Sequence, residues 1–321
     1  MSHIDGCYPL ARRGADLYSF IVTTTISPAP AATTPIWKPL IACGITLVLW
    51  ASAFVGIRHL GDTVPPGSLS LGRLVVMVAA LGAYLALKGG FRLPTRKEWP
   101  LIALGGASWL GVYNLALNES ERRIDAATAA LIVQVGPIVV ALLAGLVLKE
   151  TIHKWILIGT GVGFAGVVVI GRASANGDTG DWIGVALSVV AALTFAVGVL
   201  TQKKLLPTMS ALLLTFWYAI AGLVICLPWS FELATTLPDI SVGNIGWIVY
   251  LGLFPSALAF VTWAYALSHS DAGKFAQSTF LVPFITALMA WLVLDEVPPA
   301  LAFIGGAMCI AGVLITRRKP R

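Results

Sequence analysis

The sequence predicts an all-α, polytopic membrane protein of ten transmembrane helices, arranged as two inverted repeats of five helices each. Three observations lead there. The chain of 321 residues is 58% hydrophobic and only 11% charged, against about 25% charged in an ordinary water-soluble domain. Its apolar residues gather into ten runs of spanning or near-spanning length, and runs of about 18 or more read as membrane helices. One stretch is also written twice. DAATAALIVQVGPIVVALLAGLVLKE at 125–150 aligns without a gap on DAGKFAQSTFLVPFITALMAWLVLDE at 271–296, with 11 identities in 26 positions.

Residues 1–36 are rich in Thr, Ala and Pro, lack a lasting period, and read as a disordered cytoplasmic tail. Arg12-Arg13 before LYSFIV is only a weak twin-arginine signal, because the apolar stretch is too short for a signal core. The first unit, 37–173, carries spans at 39–58, 69–87, 99–118, 126–148 and 155–171. Span 1 contains Trp50. Span 2 contains Arg73, near enough to the outer face to snorkel; the alternative is a partner for a substrate carboxylate or a gating ion pair. Span 3 carries Tyr113, Asn114 and Asn118 at near-helical spacing. Glu119 beside them reads either as a coupling carboxylate or as a solvated helix-end charge near Arg122 and Arg123. In span 4, Gln134 stands almost one turn before Pro137. A proline inside a helix leaves the carbonyl four residues back unpaired, here that of Val133. Span 5 holds GVGFAG (161–166), with Asp181 at dinucleotide-fold distance; lacking a preceding strand, its glycines read as a surface for close helix approach.

The second unit, 180–318, carries spans at 182–202, 210–230, 246–267, 275–294 and 299–316. Span 6 ends in FAVGVLTQKKL (195–205), which lies over WASAFVGIRHL (50–60) at an offset of 145. Trp217 in span 7, like Trp50, is deep enough to line a cavity. Trp155, Trp182, Trp229 and Trp247 fall near span ends, as interfacial anchors do. Span 8 offers Tyr250, Thr262, Trp263 and Tyr265, and Pro255 would free the carbonyl of Leu251. In span 9, Gln277, Ser278 and Thr279 precede Pro283, which would free the carbonyl of Thr279. In span 10, Gly305 and Ala311-Gly312 repeat Gly159 and Ala165-Gly166 at an offset of 146. Five spans is an odd number, so the second unit enters the membrane from the opposite face, as in many secondary transporters.

With the N-terminal tail inside, the cytoplasmic segments hold 16 of the 21 Lys and Arg residues, which places both termini in the cytoplasm. The net charge of +6 therefore reports topology and no nucleic-acid partner. The four cysteines form no CxxC pair or metal spacing. There is no Walker A, HExxH or GxSxG sequence either. No metal, cofactor or enzymatic activity is expected.

The order of these features resembles the drug/metabolite transporter superfamily, specifically its EamA-type members. WASAFVGIRHL, GRLVV in span 2, the duplicated stretch, and IGTGVGFAGVVVI and IGGAMCIAGVLI carry the resemblance over residues 38–318. It implies ten helices, a central cavity bordered by spans 3, 4, 8 and 9, and transport of small metabolites, amino acids or drugs, often outward. Span 3 departs from its counterpart, ending in NLALNESERRIDAA where the second half has TWAYALSHSDAG.

The expected function is a secondary transporter, an exporter of small organic metabolites by alternating access. A receptor or scaffold with the same fold, or an integral membrane enzyme, are the alternatives. Substrate contact is assigned to Tyr113, Asn114, Asn118, Gln134, Tyr250, Thr262, Trp263, Tyr265, Gln277, Ser278 and Thr279. Hinges fall at Pro137, Pro255 and Pro283, and coupling or gating at Glu119 and Arg73. The partners are a small-molecule substrate and the lipid bilayer, with a homodimer left open. The expected location is a bacterial inner (plasma) membrane.

Overall fold

A computed structural model describes residues 35, 37–61, 63–124, 129, 132–174, 181–294 and 300–318. The expected tail and the ends of the duplicated stretch (125–128 and 295–296) fall outside these, apart from Pro35. Among the described residues all regular structure is helical, with no strand. We label the segments α1 (Trp37–Leu60), α2 (Pro66–Lys88), α3 (Trp99–Glu121), α4 (Val135–Val147), α5 (Lys154–Ser174) and α6 (Trp182–Leu205). These are followed by α7 (Ala211–Asp239), α8 (Val242–Ser268), α9 (Ala272–Ala276 through Gln277–Leu281 to Val282–Leu294) and α10 (Ala300–Thr316). Six of them, α1, α2, α3, α6, α7 and α8, are long and apolar enough to cross a membrane, while α4, α5 and α10 are shorter apolar helices.

Side chains set the helix starts. Asp181 caps α6 by accepting from the N–H of Ile183 at 2.8 Å; Ser210 and Ser241 cap α7 and α8 on Leu213 and Asn244. Each satisfies a donor that the first turn leaves free. Pro66 opens α2, where its missing N–H costs nothing. Outward-facing Leu104, Leu142, Leu157, Leu193 and Leu292 are exposed, forming an apolar exterior suited to lipid. Trp109, Trp263, Tyr218 and Met77 are fully enclosed at the centre.

The prolines are accommodated in three ways. In α8, Pro255 sits inside a π-helical turn, Gly252–Leu258, and the carbonyl of Leu251 accepts from the Ser256 hydroxyl at 2.8 Å. Before Pro283, α9 tightens into a 3-10 stretch, Gln277–Leu281, in which the N–H of Val282 reaches the carbonyl of Thr279. Beside Pro137 the span is interrupted: a turn at Gln134 separates helical Ile132-Val133 from the helix that restarts at Val135.

α5 and α10 lie in backbone contact. A Cβ added at Gly159 would stand 2.6 Å from the carbonyl oxygen of Gly312, and one at Gly166 would stand 2.5 Å from that of Gly305. Only hydrogen fits there. Gly163 is likewise closed in by Phe280, whereas Gly161 faces open space. The GVGFAG stretch thus serves helix approach, as its setting in an apolar span predicts.

Candidate functional site

Six rings meet at the centre of the bundle. Trp50 of α1 lies 4.8 Å from Trp263 of α8, and Trp109 of α3 lies 4.9 Å from Phe260 and 5.2 Å from Phe195 of α6 (centroid distances). Phe275 of α9 completes the cluster at 4.5 Å from Trp263, and Tyr113 borders it at 6.5 Å from Phe195. Trp263 is fully buried, and its indole N–H has no partner among the described residues. Of the two deep tryptophans expected to line a cavity, Trp50 joins this cluster and Trp217 does not. Trp217 packs on Phe91 and Trp99 and donates to the carbonyl of Arg92 at 3.2 Å, because the loop after α2 folds back onto α7. Trp109, Phe195, Phe260 and Phe275 had no mark in the sequence beyond their aromatic character.

A polar layer adjoins the rings on α2, α3 and α8. Asn118 donates to Ser70 Oγ at 3.0 Å, and Arg73 donates to Ser256 Oγ at 3.3 Å. Arg73 is only 8% exposed and does not snorkel. The start of α2 is roofed by the end of α7, where Trp229 lies over Gly67 and Glu232 accepts from Ser68 Oγ at 2.8 Å. Among the described residues Arg73 Nε has no partner, and neither does the enclosed Oε1 of Glu121. Glu121, not Glu119, is the carboxylate that α3 turns inward. Glu119 lies in ion pairs with Arg123 at 2.9 Å and Arg122 at 3.6 Å, at a well-hydrated helix end. The signal for Glu121 was available, since Asn114, Asn118 and Glu121 follow one another at helical spacing.

The residues expected around Pro137 and Pro283 do meet, across the α4–α9 boundary. Gln134 Nε2 donates to the carbonyl of Thr279 at 3.4 Å, the same carbonyl that Pro283 frees, and Thr279 Oγ1 lies 3.5 Å from Gln134 Oε1. Gln277 Nε2 donates to the carbonyl of Pro137 at 2.9 Å and that of Gly273 at 3.1 Å. Ser278 and Asn114 bond carbonyls of their own helices, Phe275 and Leu110. Thr262 meets Thr46 at 2.8 Å, and Tyr265 stacks near His269. Tyr250 bonds Ser52 at 2.7 Å and, with Trp247 and Met289, lines a cavity of about 460 Å³. That cavity lies between α1, α8 and α9 and takes in Tyr250 alone of the predicted contacts.

Charged contacts tie the loops at one end. Both oxygens of Glu150, after α4, accept from the start of α9: the N–H groups of Ala272 at 2.7 Å and Gly273 at 3.0 Å. Lys203 of α6 donates to the carbonyls of Leu267 and Ser270. Arg92 grips Glu98 with two bonds of 2.8 and 2.9 Å and reaches the carbonyl of Thr208 at 2.7 Å. That guanidinium, with the N–H of Thr95, holds the Glu98 carboxyl far below the usual carboxylate range. At the other end, Asp181 is lowered by the N–H groups of Ile183 and Gly184 and by Arg123. Among the described residues, no group of three His, Cys, Asp or Glu side chains offers a metal site.

The same chain has relatives among known proteins. The sequence profile of the EamA-like transporter family matches it twice, over residues 37–172 and 182–318. A probable terminal-alkyne amino-acid exporter of Streptantibioticus cattleyicolor is 35% identical over 284 residues, 88% of this chain and 94% of that protein. The uncharacterized transporter YdfC of Bacillus subtilis is 30% identical over 87% of this chain and 91% of its own length. A probable amino-acid metabolite efflux pump of Escherichia coli is 25% identical over 84% and 92%. One solved crystal structure shares the fold with a TM-score of 0.72 at 19% identity, covering 87% of this chain and 96% of that one. With a profile match across both halves and relatives of this similarity over nearly their full length, the chain belongs to the EamA-like transporter family.

Proposed function

We propose that this transporter exports small amphipathic metabolites of the amino-acid type, by alternating access between two inverted five-helix units. The observation that carries the substrate reading is a polar layer of buried Arg73, Asn118 and Ser256, with the enclosed Oε1 of Glu121, beside an aromatic floor (Trp50, Trp109, Phe195 and Trp263). Ionisable groups inside a membrane protein mark substrate or ion paths. The names of two relatives, an amino-acid exporter and an amino-acid metabolite efflux pump, support the same class.

The inverted repeat is supported by the α5–α10 contact. Gly159 and Gly305 correspond at an offset of 146, as do Gly166 and Gly312, and the contacts run crosswise, Gly159 to Gly312 and Gly166 to Gly305. Two units related by a twofold axis make that pattern. Ten spans then follow, with both termini in the cytoplasm of a bacterial cell and the chain in its inner membrane. The Glu150 and Lys203 contacts lie on the Lys- and Arg-rich side, so this arrangement is closed to the cytoplasm.

Counterflow in proteoliposomes tests the reading. Labelled amino acids should exchange against internal unlabelled ones without ATP. Absence of exchange for every solute of a broad metabolite panel would point instead to a scaffold.

A further inference from the structure

We propose that Arg73 and Glu121 form a two-point clamp for the zwitterionic head of an α-amino acid, which deepens the amino-acid reading above and rests on it. Both groups are ionisable, both sit on helices long and apolar enough to cross a membrane, and among the described residues each has an enclosed polar atom without a partner: Nε of Arg73 and Oε1 of Glu121. Arg73 follows Ser70 and Glu121 follows Asn118 by three residues, about one helical turn beyond the hydrogen bond that joins the two helices. Yet they are not hydrogen-bonded to one another, since Arg73 bonds Ser256 instead.

Helix direction explains how they face a common space. Asn118 of α3 bonds Ser70 near the start of α2, so the two helices run antiparallel. Side chains lean toward the N-terminus of their own helix. Arg73 on α2 therefore leans toward the outer end and Glu121 on α3 toward the interior, and their heads converge from opposite sides. An open pair of this kind is costly in a membrane interior, where bonding the two ions directly would reduce the cost. A third group that bonds both accounts for the gap.

The α-amino-acid head has the matching chemistry. Its carboxylate accepts from the guanidinium, and its ammonium donates to Glu121 Oε1, both charge-assisted bonds. Tyr113, on α3 with Asn118 and Glu121, borders the ring cluster through Phe195. A side chain extending from the clamped head thus reaches the aromatic floor, which selects aromatic or long apolar side chains.

The test uses three solutes of one shape in proteoliposome counterflow: L-phenylalanine, 3-phenylpropionate, which lacks the ammonium, and phenethylamine, which lacks the carboxylate. The wild type should exchange phenylalanine best. Glu121→Gln should reduce phenylalanine exchange roughly 10- to 100-fold, the worth of one charge-assisted bond, while sparing phenylpropionate. Arg73→Gln should reduce phenylalanine similarly while sparing phenethylamine. Glu121→Asp keeps the charge on a shorter arm and should raise KM while retaining the preference for phenylalanine. Phenylalanine should also raise the Tm of the wild type and not of Glu121→Gln. The clamp is overturned if folded Glu121→Gln exchanges phenylalanine at the wild-type rate, or loses all three solutes in equal proportion. A wild type that moves no solute at all instead overturns the transport reading on which the clamp rests.

Discussion

At the scale of single residues, the two carboxylates of NESERR divide the work by about two hundred degrees of helix rotation. Glu119 points to water and to Arg122 and Arg123; Glu121 turns beneath them into the protein. Exposed ion pairs of the first kind are worth little. Glu119→Gln should therefore leave exchange rate and its pH dependence unchanged, and a shifted pH profile would return the coupling role to Glu119. Glu98 gives a second prediction. Its carboxyl is held below its unfolded value by Arg92, so its stabilising effect is complete above the unfolded carboxylate pKa, about 4.3, and fades as pH falls through the folded one. Thermal melts in detergent should show Glu98→Gln less stable than wild type at neutral pH, with the gap narrowing under strong acid. The residue types of the site were legible in the sequence, in Asn118, Gln134 and Trp263. Their partners were not, because hydrogen bonds such as Gln134 to Thr279 join residues 145 apart, and local periodicity carries nothing about that separation.

At the scale of elements, the prolines and glycines show how much a pattern can tell. Loss of a helical hydrogen bond at Pro255 and Pro283 follows from the ring alone, and the structure supplies Leu251 and Thr279 with other donors. A double-mutant cycle checks the coupling. Ser256→Ala removes the hydroxyl on Leu251 and should destabilise by about 1–3 kcal/mol. In a Pro255→Ala background, where residue 255 regains an N–H, its cost should be smaller by at least about 0.5 kcal/mol; strict additivity would mean that the serine does not answer the proline. The α5–α10 contact separates two meanings of GVGFAG. Gly166→Ala puts a methyl against the carbonyl of Gly305, and such overpacking typically costs about 1–3 kcal/mol. Gly161→Ala, with nothing within 4 Å, should be neutral or mildly stabilising, as alanine favours the helix. Equal effects on Tm would remove the close-approach account. Pro137 and Pro283 each lie in the first turn of a regular helix, Val135–Val147 and Val282–Leu294. What the repeat could not foretell was the lead-in, a turn at Gln134 against a 3-10 stretch at Gln277–Leu281, because the residues there differ (QVGP against TFLVP).

At the scale of the whole molecule, charge counting assigns these loops to a shared end, and they do bond across the bundle, Arg92 to Thr208 and Glu150 to Ala272. The state of the transporter was not legible, because the same sequence must support both an inward-open and an outward-open arrangement. On the orientation proposed above, Glu150 holds the cytoplasmic end closed by capping the start of α9, a charge-assisted bond to N–H groups at a positive helix terminus. Without it, α9 loses a tie to the opposite unit, and the population shifts toward the cytoplasm-open form. Cys43 reports that shift, being only 5% exposed on α1, which packs against α9. In a protein retaining Cys43 as its sole cysteine, Glu150→Ala should speed labelling by a membrane-impermeant maleimide added from the cytoplasmic side. A tie worth about 1–2 kcal/mol corresponds to roughly a 5- to 30-fold faster rate. Added phenylalanine should slow the labelling again if its complex is the closed one. Unchanged labelling in Glu150→Ala would mean that the closure is held by the Gln134–Thr279 and Gln277–Pro137 crossing instead, and Gln277→Leu would then be the variant that opens it.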